Sequence, residues 1–171
     1  TPSATEVISR FFPEFDGLSA ASNLNPNHPR YSFPPEETVR FWDQNGQRQA
    51  QLGTDLHEQI ERFYLGQEVT ESDDFRIFEQ FKEDHPDINP YRSEWRVFDD
   101  NHHIAGTIDL VAHNGTSFDI YDWKRSKKVV TAAGQPITGN NFQSGIGGLR
   151  NIPDTSYNRY CIQQSLYRHI L

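Results

Sequence analysis

The chain has 171 residues, 35% hydrophobic and 13% aromatic, with one cysteine, no methionine and a net charge of −8. That length suits one domain with a real core, and no apolar run approaches the roughly 18 residues a membrane helix needs. Cys161 stands alone, which excludes disulfides within the chain and suits a reducing, intracellular compartment. Ser3 and Glu6 fit a capping box ahead of Val7, Ile8, Phe11 and Phe12, predicting a short opening helix that Pro13 ends. Residues 14–34, rich in Pro, Asn and Ser, read as loop. Glu36 to Trp42 reads as a turn or two of helix closed by Asn45-Gly46. A longer helix is expected from Gly53-Thr54, with Thr54 as N-cap and Leu56, Ile60, Phe63 and Tyr64 as its core stripe. His57 and Glu61 project together beside that stripe. A further helix spans Ser72 to about Lys82, before Pro86 and Pro90.

From Ser93 the period switches to two. Alternation predicts a strand through Trp95 and Val97, a turn at Asp99-Asp100-Asn101, and a second strand from about His103 to Ala112. Asn114-Gly115 signals a type I′ hairpin into a third strand from about Ser117 to Lys124. Residues 129–153 form a connection longer than economy requires, and Asp154 is the expected cap of a final helix. On that helix Ile162, Leu166 and Ile170 make the apolar face, while Tyr160, Gln163 and Tyr167 make a separate polar-aromatic stripe.

The chemistry gathers at the hairpin. Asp109 and Asp122 are two carboxylates able to hold a hard divalent cation, and Lys124 can orient or deprotonate water or offset phosphate charge. A lone D-x-K is more often a surface ion pair; the second aspartate and the surrounding charge shift the balance. Residues 124–171 carry Lys124, Arg125, Lys127, Lys128, Arg150, Arg159 and Arg168 against Asp154, or 7 − 1 = +6. The first 123 residues carry 9 − 23 = −14. A basic segment directly after the acidic strands is what a phosphate-facing surface requires, although a solvated basic face has the same composition. His57-Glu58 with Glu61 resembles only half of a zinc-protease helix. Gly145-Ile146-Gly147-Gly148 lacks the Gly-Lys-Ser/Thr of a P-loop and reads as a flexible loop.

Assembled, these residues resemble the PD-(D/E)XK nuclease superfamily, in its RecB-like and lambda-exonuclease-like branch. Gly53-Thr54-Asp55-Leu56-His57 is similar to that branch's G-x-x-x-H motif, with Glu61 following, and Glu94-Trp95 to the glutamate that opens its first core strand. Gly106-Thr107-Ile108-Asp109 resembles G-x-x-D, Asp122-Trp123-Lys124 resembles (D/E)-x-K, and Gln163 to Tyr167 resembles Q-x-x-x-Y. The likeness covers residues 53–171 in order.

The resemblance implies an α/β, restriction-endonuclease-like core: a mixed central sheet containing an antiparallel meander, flanked by helices. It implies a single nuclease domain with residues 1–52 as an N-terminal extension and 53–171 as the catalytic core. With no Met and an end inside an apparent helix, an excised piece of a larger multidomain protein, such as replication, repair or transposition machinery, is expected. By the same resemblance Asp109, Asp122, His57 and the Trp123 carbonyl bind Mg²⁺ or Mn²⁺, and Lys124 acts on the attacking water. Gln163 and Tyr167 position substrate, with Arg125, Lys127 and Lys128 on its phosphates and Glu61, Glu94 and Tyr160 in support. An iron–sulfur cluster, which uses four cysteines in that branch, is excluded by the single Cys161. The expected reaction is hydrolysis of DNA by an activated water, with no membrane partner. The alternatives are an RNA endonuclease of the cap-snatching type and a catalytically silent nucleic-acid-binding module.

Overall fold

The computed structural model describes residues 1–139 and 142–171. It is of the α/β class, with five α-helices and one three-stranded antiparallel sheet among the described residues. They divide into two compact units, Glu14–Asp55 and the pair of segments Thr1–Pro13 and Leu56–Leu171. The opening helix α1 (Ala4–Ser9) therefore groups with the larger unit and not with an extension of residues 1–52. The reason is burial: Ala4 and Ile8 are inside, and Ala105 N donates to Pro2 O at 3.1 Å beside the sheet. Its capping box forms as expected, Ser3 N donating to Glu6 Oε2 at 2.7 Å and Glu6 N to Ser3 Oγ at 3.1 Å.

The smaller unit holds α2 (Gly17–Ser22), which the loop-like composition concealed, and the first part of α3 (Pro35–Tyr64). Asp16 caps α2 by accepting from Ser19 N. Helix α3 runs unbroken through Asn45-Gly46 and Gly53-Thr54, where the sequence predicted an end and a start. Thr54 is no N-cap; its hydroxyl donates to Ala50 O one turn back. Two glycines cost only about 1 kcal/mol each in a helix interior, and the surrounding Gln, Arg, Ala and Leu residues favour helix. The true stop is Gly66, at φ 68°. Gly66 N bonds Phe63 O and Gln67 N bonds Arg62 O, a Schellman closure that satisfies the last carbonyls.

In the larger unit, β1 (Pro90–Asp99), β2 (Ile104–His113) and β3 (Phe118–Tyr121) form a meander in the order β1-β2-β3. The mixed sheet expected from the resemblance is represented among the described residues by this meander and one parallel bridge, Ser3 to Ala105. The β2–β3 loop has four residues, Asn114 to Ser117, in place of a two-residue type I′ turn. Only Gly115 takes positive φ there, and the Asn114 side chain accepts from Ser117 N and Oγ.

Two apolar clusters brace the sheet. Ala4, Val97, Ile108, Val111 and Tyr167 form one, joined by Leu166 and Ile170 of α5 (Ser156–Ile170). Ile60, Phe75 and Phe78 form the other, where the end of α3 meets α4 (Asp73–Asp84) and the Trp123 ring. Helix α4 lies where it is expected, with Ser72 as its N-cap, whereas α5 is capped by Thr155 and not by Asp154, which instead pairs with Arg159. The connection over 129–153 holds a short 3-10 turn at Gly147–Leu149; its Asn140 and Asn141 lie outside the described residues.

Candidate metal centre

The strand registers align three carboxylate residues across the sheet. Ser93 pairs with Leu110 and Trp95 with Ile108, which sets Glu94 opposite Asp109. Leu110 pairs with Tyr121, so the next step sets Asp109 opposite Asp122, just beyond the end of β3. Like charges directly opposite one another destabilise a sheet. Glu94 also holds φ at 45° inside a strand, a left-handed conformation that costs a non-glycine residue about 1–3 kcal/mol.

His57 enters this row from α3. Its Nε2 lies 2.9 Å from the Trp123 carbonyl, an obligate acceptor, so Nε2 carries the proton and donates. Nδ1 then faces Glu94 Oε1 at 3.4 Å and Asp109 Oδ1 at 3.6 Å. A bare nitrogen lone pair among anionic oxygens is unfavourable; a proton or a cation belongs there. Consistent with this, the His57 pKa is raised, chiefly by its hydrogen bond to Glu94 and against the effect of burial. Asp109, only 7% exposed, is pushed up to about 6, first by burial and next by the charge of Asp122. One donor atom from each of His57, Glu94 and Asp109 lies within 4.8 Å of the other two. One imidazole nitrogen and two carboxylates suit Mn²⁺, and Mg²⁺ with more water in its shell.

Asp122, Trp123 and Lys124 are held without a strand ladder. Trp123 N donates to Asp109 Oδ2 at 2.7 Å, and the Trp123 ring stands edge-on to Phe78 and Phe81 of α4. Lys124 Nζ is 2.7 Å from Asp122 Oδ1 and lies over the Tyr160 ring at 5.0 Å. Asp122 and Lys124 open into a groove of about 620 Å³ whose far wall includes Tyr157, Tyr160 and Gln164 of α5.

Several expected site residues sit elsewhere or are already engaged. The Trp123 carbonyl accepts from His57 and so supports the ring. Asp122 is paired with Lys124 and falls outside the compact His57–Glu94–Asp109 donor set, where Glu94 stands instead. Tyr167, expected on an exposed stripe, is 3% exposed and packs over Gly106; burial raises its pKa. Gln163 donates to Tyr167 Oη and Thr5 Oγ1, joining α5 to α1. Glu61 is half-buried, and its carboxylate makes no hydrogen bond or ion pair among the described residues.

Arg125 pairs with Asp74 of α4 at 2.5 Å. Lys127 and Lys128 are exposed and line a separate cavity of about 580 Å³ beside Thr155, Ser156 and Arg159. Sequence reasoning passed over Gln164. Both its amide atoms are buried with no partner among the described residues, and it lines the groove with Asp122 and Lys124. Its only sequence signal is its place beside Gln163.

Compared with models of known families, with curated proteins and with solved structures, the chain matches none. No helix among the described residues is long and apolar enough to cross a membrane.

Proposed function

We propose that this chain is a metal-dependent nuclease of the PD-(D/E)XK type, that the second half of α3, the meander and α5 are its restriction-endonuclease-like core, and that it hydrolyses phosphodiester bonds in DNA. The observation that carries the reading is His57 Nδ1 held between the carboxylates of Glu94 and Asp109, with the Asp122–Lys124 pair beside it. His57, Glu94 and Asp109 would hold Mg²⁺ or Mn²⁺. Bound there, the ion supplies Lewis acidity and lowers the pKa of a coordinated water. The residues of the chain do the rest. Trp123, through its carbonyl, fixes the imidazole tautomer, and through its N–H orients the Asp109 carboxylate. Asp122 steers Lys124 Nζ, which holds the attacking water or offsets charge gathering on the phosphate. Gln164, whose buried amide has no partner among the described residues, would have to turn into the groove to offer a donor and an acceptor to the substrate.

Asp122→Asn and Lys124→Ala test the reading. Each variant, checked for folding by circular dichroism, is expected to cut DNA at least about a hundredfold more slowly than the parent with Mn²⁺. Parental rates in either overturn it. A histidine among the donors is also a feature of the cap-snatching alternative, so labelled RNA is included as competitor. Faster cutting of RNA than DNA replaces the substrate, and metal binding without cutting of either leaves the silent binding module.

A further inference from the structure

We propose a second divalent-cation site, remote from the first, formed by Asp99 and His102 of the β1–β2 turn and His169 in the last turn of α5, with Zn²⁺ as the class of ion it takes. One donor atom from each lies within 4.8 Å of the other two. Around a tetrahedral ion with bonds near 2.1 Å such atoms stand about 3.4 Å apart, so small side-chain rotations close the set. Two imidazoles and one carboxylate make a borderline donor set that favours Zn²⁺ over Mg²⁺ or Ca²⁺ and leaves a fourth position for water.

The site is built before any ion arrives. Asp99 Oδ1 accepts from the backbone N–H groups of Asn101 and His102, which fixes the carboxylate. Oδ2 is left 2.6 Å from His102 Nδ1, and the His102 and His169 rings meet edge to face at 5.8 Å. The Asp99 side chain is only 13% exposed while His102 is 61% exposed, so an anchored carboxylate sits beneath an accessible imidazole. Both halves rest on one core, since Ile104 follows the turn and Ile170 follows His169, and both pack against the cluster around Val97 and Tyr167. The end of a 15-residue helix adds negative partial charge beside the ion. A bound ion would staple the turn to the end of α5. None of the three residues belongs to the nuclease centre, so neither proposal stands on the other.

The test is an NMR titration of the intact chain with ZnCl₂ to one equivalent at pH 7.5, following the imidazole resonances, paired with thermal melts. The expected result is that His102 and His169 respond together and the melting midpoint rises. H102Q and H169Q should fold as the parent does without zinc, yet bind Zn²⁺ at the site at least about tenfold more weakly and lose the thermal gain. A response at His57 reports the other centre and is read separately. If His102 and His169 stay silent at one equivalent, or respond singly, or if both variants keep the thermal gain, the site does not exist.

Discussion

At the scale of single residues the centre turns on His57, whose Nε2 donates to a main-chain carbonyl and whose Nδ1 is thereby aimed at two carboxylates. Asp109 carries the electrostatic consequence. Its folded-state pKa of about 6 lies above the ordinary 3.8. The stabilising contribution of its protonated form is thus complete below about pH 4 and is lost as pH rises through about 6. Asp109→Asn removes the buried charge and keeps a carbonyl oxygen to accept from Trp123 N. In metal-free buffer it should raise the melting midpoint by about 3–6 °C at pH 7.5 and by much less at pH 4.5, while Mn²⁺ stabilises only the parent. Calorimetric scans at the two pH values check this. Equal midpoints for parent and variant at pH 7.5 contradict a destabilising charge at that position.

Among the elements, β2 and α5 share an apolar cluster that includes one especially tight contact. A Cβ placed on Gly106 would lie 2.4 Å from Tyr167 Cε1, so the glycine of one motif exists to admit the tyrosine of another. Gly106→Ala should destabilise by about 1–3 kcal/mol in urea unfolding. Combined with Tyr167→Ala, it should cost clearly less than the sum of the two single changes, because the clash is gone. Strict additivity contradicts the contact.

This pair also marks what the sequence made legible. Local signals are legible where the energy is local, as in the capping box of Ser3 and Glu6. The meander follows from periodicity, and the grouping of His57 with Asp109 from the motif resemblance. Tyr167 was misplaced because its partner, a missing side chain on β2, leaves no trace in the period of α5. Helix α3 runs on where Gly46 and Gly53 predict breaks, because the long run of helix formers around them outweighs two glycines. Glu94 entered only as a supporting residue; its place opposite Asp109 depends on a strand register that no short window contains.

Over the whole molecule, the +6 charge of residues 124–171 is partly spent internally. Lys124, Arg125 and Arg159 pair with Asp122, Asp74 and Asp154. Lys127 and Lys128 are exposed and form no ion pair among the described residues, and in the proposed reading they are the side chains that would meet external phosphate. DNA affinity should therefore fall with added salt, and K127Q/K128Q should flatten the log–log slope by about 1 to 2 with little change in Mn²⁺ binding. Fluorescence anisotropy over a salt series measures it, and an unchanged slope places the phosphates elsewhere.

The central claim is that His57, Glu94 and Asp109 hold the divalent cation that makes this chain a nuclease. Cleavage tests it most directly, with end-labelled linear DNA and closed circular DNA incubated with the parent and with Asp109→Asn, in Mn²⁺ and in EDTA. The account predicts cutting by the parent in Mn²⁺ alone and a loss of at least about a hundredfold in the variant. No cutting by the parent, equal cutting in EDTA, or a variant as fast as the parent would contradict it.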